Sequence, residues 1–87
     1  TDGLIGQAFV EKDLIYLKEI PDGYVYITSG LGEATPSFLL LVPLKIKENV
    51  FGVIELASFD AFQDYQIAFL EKLAESIAST LAMVRVN

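Results

Sequence analysis

The side chains able to do chemistry in this chain are scattered. The polar groups that stand out are Tyr16, Tyr24, Tyr26, Ser29, Thr35 and Glu55. Hydroxyls and a carboxylate of this kind orient a small ligand by hydrogen bonding inside a mostly apolar pocket. Glu55 is the odd member. It interrupts the apolar run 50–57 and shares a strand face with Phe51, Val53 and Ala57. A carboxylate there needs a partner or an exposed edge. Tyr24, Tyr26, Ser29 and Thr35 belong to a stretch rich in Gly, Ser and Tyr. Loops of that composition carry binding groups on a rigid scaffold, or simply cross from one element to the next.

Harder chemistry has little to work with. The chain has no histidine and no cysteine, so neither an imidazole nor a thiolate can serve as base, nucleophile or ligand. Glu33, directly after the glycines of 29–32, is the one carboxylate to consider for acid–base work. The remaining carboxylates are dispersed, and no metal set is expected. Nucleophile-elbow, Walker and zinc motifs are absent. Gly3-Leu4-Ile5-Gly6 is too short for a phosphate-binding loop, and no strand precedes it. The expectation is a chain that is not an enzyme and that takes no cofactor and no metal.

Charge narrows the partners. Twelve acidic residues against six basic give a net charge of −6. Nucleic acid requires clustered Lys and Arg to neutralise phosphates, and none are clustered here. Anionic membrane surfaces are disfavoured for the same reason. No run approaches the roughly 20 apolar residues of a spanning helix, and 1–3 show no secretory signal. A cytoplasmic domain without membrane contact is expected. The apolar fraction is 53%, against about 45–50% in average domains. On so short a chain that surplus points to surface kept for a partner.

The elements that must position these groups follow from periodicity. Leu4, Ile5, Ala8 and Phe9 mark one face of a short helix at about 4–11. Residues 13–20 alternate as a strand that Pro21 ends. Tyr24 to Ile27 suits a strand or a helical turn. Residues 37–45 and 50–58 form an antiparallel hairpin turned at Lys47-Glu48-Asn49, with Asn49 the residue that tolerates positive φ. Pro43 cannot donate to a ladder, so an edge or a bulge is expected there. Gly52 suits the close approach of a packed helix. A long helix covers about 63–86, capped by Asp60 or Asp64 and free of Pro and Gly.

Along that helix Ile67, Leu70, Ala74, Ile77, Leu81 and Val84 repeat at 3-4-3-4-3, the spacing of a coiled-coil seam. Phe69, Leu73, Thr80 and Met83 lie beside them, widening the apolar stripe. The helix either caps its sheet or caps it and also offers a row to a second copy. Its length of roughly 35 Å, at 1.5 Å per residue, exceeds that of two short strands and favours the second alternative. A homodimer through the C-terminal helix is expected.

Taken together, Leu41-Val42-Pro43-Leu44, then Phe51-Gly52-Val53-Ile54-Glu55-Leu56, then Leu70-x-x-Leu73-Ala74-x-x-Ile77-Ala78 resemble the GAF domain family. Gly3 to Ala8 and Ile15-Tyr16-Leu17 are similar to its middle portion, and 26–33 resembles versions in bacterial sensor histidine kinases. The resemblance implies an α+β fold with an antiparallel central sheet, helices against one face and a ligand pocket on the other. It implies one GAF-like domain over 1–87, truncated, without the family's usual N-terminal helix and first strands. Bilin-attaching and methionine-sulfoxide-reducing members use cysteines, and the cyclic-nucleotide signature is missing, since valine follows Asn49. What it implies for function is a sensory or signal-relay module of a bacterial signalling protein, of the two-component histidine-kinase type. Such a module binds an unidentified small molecule or relays a conformation through the last helix. The alternative is a ligand-free dimerisation spacer.

Overall fold

The computed structural model describes residues 2–20 and 36–86. The order of elements is α1 (Asp2–Glu11), β1 (Ile15–Leu17), β2 (Phe38–Ile46), β3 (Asn49–Ser58) and α2 (Asp64–Val86). This is the expected α+β arrangement of helix, antiparallel sheet with a hairpin, and long terminal helix.

In α1, Leu4, Ile5 and Ala8 turn inward and Ala8 is fully buried. Phe9, expected on the same face, stays 40% exposed. The helix stops at Lys12, whose N–H donates to the Ala8 carbonyl at 2.9 Å. Lys12 has φ of 60°, the left-handed geometry that usually recruits glycine after a helix. The Lys45 ammonium donates to the Lys12 carbonyl, tying this turn to β2.

The expected strand at 13–20 is shorter than its alternation suggested. Only Ile15, Tyr16 and Leu17 pair, opposite Leu41, Leu40 and Leu39. The hairpin turns on Lys47 and Glu48 alone. The positive φ, 54°, belongs to Lys47, because Asn49 is already the first residue of β3, paired with Ile46. Leu44 pairs with Gly52 and Lys45 with Val50, so Phe51 is the extra residue of a β-bulge. Pro43 pairs with Val53 before the bulge. Since β1 begins at Ile15, opposite Leu41, no third strand among the described residues lies beside Pro43, and of the two alternatives the edge applies. Gly52 approaches no helix. A Cβ there would meet Leu44 Cδ1 across the hairpin at 3.4 Å.

The sheet order is β1-β2-β3. Central β2 is buried on both sides, because successive strand residues point to opposite faces. Leu39 and Leu41 meet Ala8, Leu4 and Ile5 of α1. Leu40 and Val42 meet Ala74, Ile67 and Leu70 of α2. The two helices therefore flank the sheet. This corrects the expectation of helices against one face.

Neither aspartate caps α2. The Gln63 carbonyl accepts from Gln66 N and Ile67 N at 2.9 and 3.0 Å. Gln63 N–H donates to Gln66 Oε1 at 2.8 Å. Gln66, three residues in, thus supplies the return half of a capping box. Asp64 is the first helical residue, and Asp60 N–H donates to Ser58 Oγ at 3.0 Å. Among the described residues, no helix is long and apolar enough to cross a membrane.

Candidate functional site

Of the residues singled out by sequence, Tyr24, Tyr26, Ser29, Thr35 and Glu33 lie outside the described residues. Tyr16 and Glu55 are described, and the structure does not bring them together. Tyr16 pairs with Leu40 and so faces α2. Its hydroxyl oxygen accepts from Phe62 N–H at 2.9 Å. Its ring meets Phe62 edge-on at 5.7 Å and Phe38 at 6.4 Å. The geometry is that of a clasp, holding the link before α2 onto β1. We predict that Tyr16→Phe lowers stability by about 1 kcal/mol, the net worth of one hydrogen bond. That is a fall of about 4–8 °C in Tm for a domain this small, read by circular dichroism. A Tyr65→Phe control, 73% exposed, should not move it. An unchanged Tm for Tyr16→Phe would remove the clasp.

Glu55 pairs with Leu41 and so shares the α1 face with Leu39, Val53 and Ala57. Its Oε2 is buried and accepts no hydrogen bond from any described residue. Buried polar atoms are nearly always partnered, and an unpartnered carboxylate oxygen is an expensive thing to keep. The same face carries the cluster of Leu4, Ile5 and Ala8 of α1 with Leu39 and Leu41 of β2. A hydrogen-bond donor entering this apolar layer would find its acceptor ready.

A concavity elsewhere went unread in the sequence. It is a groove of about 510 Å³ between α2, the far end of β2 and the α1–β1 link. Its lining includes Glu71, Glu75 and Ser79 of α2, Val42, Pro43, Lys45 and Lys47 of the hairpin, and Asp13. Three separated segments build it. The one local signal was Glu71 and Glu75 at i, i+4, which places two carboxylates on one helix face.

The row expected as a dimer seam is divided. Ile67, Leu70 and Ala74 are packed on the sheet. Ile77 is half-buried. Leu81 and Val84 are 36% and 68% exposed. Strands of nine and ten residues run about 30 Å at 3.3 Å per residue, so the helix outreaches them by less than expected. Besides Leu81 and Val84, the neighbouring row is exposed, with Phe69 65%, Leu73 42% and Met83 73%.

Comparison with known proteins gives three results. No curated protein matches the chain. A solved structure, that of a type II free methionine-R-sulfoxide reductase from Thermoplasma acidophilum, has a similar fold, with a TM-score of 0.67 at 22% identity. The match covers 90% of this chain and 54% of that one, so the chain spans about half of the reductase's length. The expectation that this chain is not an enzyme is corrected by this finding. The same fold carries an enzyme there, and missing motifs within 87 residues are no ground for excluding catalysis. A family model of the GAF domain matches residues 1–82, and the chain belongs to the GAF domain family.

Proposed function

We propose that the chain is a sensory and signal-relay module of a bacterial signalling protein of the histidine-kinase type, working in the cytoplasm. It holds a small molecule on the α1 face of the sheet and passes the change on through α2. The observation that carries this reading is the buried Oε2 of Glu55, which has no partner among the described residues. The ligand class it favours bears an ammonium or N–H donor and an apolar body, to suit the surrounding leucines. Relay has a short route. Ile54 and Leu56, the neighbours of Glu55 on β3, point to the other face and pack in the α2 cluster. A shift of β3 at the ligand is therefore felt directly under the helix, which is the contiguous packing that coupling needs.

The test is a thermal-shift screen with purines, nucleotides, amines and acyl compounds. An amine or N–H donor should raise Tm, and Glu55→Gln should abolish that rise. No stabilisation by any of them, or a rise that survives Glu55→Gln, counts against the reading.

A ligand-free dimerisation spacer is the second reading, favoured by the exposed row Phe69, Leu73 and Met83. Two copies paired along that row would form the homodimer. Leu70 is committed to the sheet, so the informative variant is Phe69→Lys with Met83→Lys. Light scattering should show the mass halved; an unchanged mass excludes the row as the contact.

A further inference from the structure

The two helices are held to the sheet unequally. α2 runs for 23 residues without Gly or Pro, and its Ala74 and Ala78 are buried. α1 has ten residues, and Gly3 and Gly6 are two of them. Glycine weakens a helix relative to alanine, because its freer backbone loses more entropy on folding. A helix keeps glycine at no loss where a side chain would collide or where φ is positive. Neither holds here. A Cβ added at Gly3 or Gly6 would meet no described neighbour within 4 Å, and neither residue has a positive φ. Packing therefore gives no reason for either glycine. The grip of α1 is light as well. Among its described residues only Ala8 is fully buried; Leu4 and Ile5 are half-buried, and Phe9 and Val10 are exposed. Its polar ties gather at one end. The Lys45 ammonium donates to the Lys12 carbonyl, and the Lys12 ammonium lies 3.3 Å from Glu48. A helix this short does not hold by itself in water, so α1 melts once it leaves the sheet.

What lies beneath gives that weakness a use. Val53 and Ala57, on either side of Glu55 along β3, pack in the α1 cluster. Glu55 Oε2 is closed off from solvent, so a ligand donor reaches it only when the layer above the sheet moves. Among the described residues, α1 is the helix of that layer. We infer, resting on the reading of Glu55 as the ligand group, that α1 is a lid over this face. It opens by melting back to the turn at Lys12 while the sheet and α2 stay folded. Lids are drawn from the least stable parts of a fold, and reclosure over a bound molecule excludes water.

The chain has no cysteine, so one introduced thiol reports one place. Ala8→Cys puts it under α1 and Ala74→Cys under α2, at positions 0% and 2% exposed. With excess DTNB, the thiol of Ala8→Cys should react at least about tenfold faster than that of Ala74→Cys. Its rate should barely change in urea below the unfolding transition, whereas that of Ala74→Cys should climb steeply, because sensitivity to urea scales with the surface exposed. Adding Gly3→Ala and Gly6→Ala to Ala8→Cys should slow its reaction about fivefold. Amide hydrogen exchange of the unsubstituted chain makes the same comparison without disturbing the packing. Amides of 6–11 should exchange at least about tenfold faster than those of Leu40 and Leu41. Equal rates and equal urea dependence under the two helices would mean that α1 opens only with the whole fold, and the lid is then overturned. It is overturned too if the two alanines leave the rate of Ala8→Cys unchanged. Should no amine stabilise the chain while Ala8→Cys reacts fast, the Glu55 reading falls and the local opening of α1 stands.

Discussion

Leu40→Ala is expected to cost about 3–5 kcal/mol, the range for a buried leucine whose cavity cannot fully collapse. Leu40 is 0% exposed at the centre of the middle strand. It packs in one cluster with Ala74, Val42 and Tyr16, and with Ile67 and Leu70 beside them. Relaxation is restricted because the residues on either side of it, Leu39 and Leu41, are themselves fully buried against α1. A chain of 87 residues holds roughly 4–13 kcal/mol in all, at about 0.05–0.15 kcal/mol per residue. The variant should therefore melt at least about 12 °C lower, at about 4–8 °C per kcal/mol, and unfold partly at the low end. Urea titration of the parent and the variant measures the loss. Leu81→Ala belongs to the same helical row but is 36% exposed, and should cost under about 1 kcal/mol. Comparable losses for the two would mean that α2 is pinned along its whole length, contrary to the burial pattern.

That contrast also shows what was legible in the sequence. The hairpin was, because 38–42 and 50–57 are apolar runs separated by a charged turn. So was α2, where apolar residues keep the helical period without Pro or Gly. The placement of the helices was not. Residues 39–41 are all leucine and Val42 follows, so no alternation marks one face for α1 and the other for α2. Only the pairing of Tyr16 with Leu40 and of Glu55 with Leu41 assigns the faces, and pairing is a tertiary property. For the same reason Tyr16 and Glu55, both readable as ligand groups, fall on opposite sides of the sheet. Asn49 was the natural turn residue by intrinsic preference. In the structure Asn49 is already paired with Ile46, and the positive φ falls on Lys47 in the two-residue turn. The seam spacing of 67–84 was real, but a helix that covers a sheet and a helix that covers its twin use the same period. The groove was invisible because its walls come from segments about 30 residues apart in sequence.

Glu55→Leu is expected to raise stability by about 1–3 kcal/mol, because it removes the desolvation penalty of a buried carboxylate oxygen that accepts no bond. Three terms decide the sign. Loss of the carboxylate is favourable by that amount. Apolar area placed between Val53, Ala57 and α1 adds about 25 cal/mol per Å². Against these, a misfit leucine in a packed layer costs about 1–3 kcal/mol. Leucine and glutamate are similar in size, and β3 is only half-buried at this position, so the misfit should be the smallest of the three. The midpoint in urea should rise with an unchanged slope, which separates a real gain from a change in the unfolded chain. The same variant should lose any ligand response that the parent shows. Stability gained together with response lost is what a residue kept for binding looks like, since such residues are held at the expense of the fold. Destabilisation of Glu55→Leu together with the near-isosteric Glu55→Gln, in which misfit is small, would mean that the carboxylate already has its partner within the folded chain, and the ligand would then have no vacant acceptor to meet.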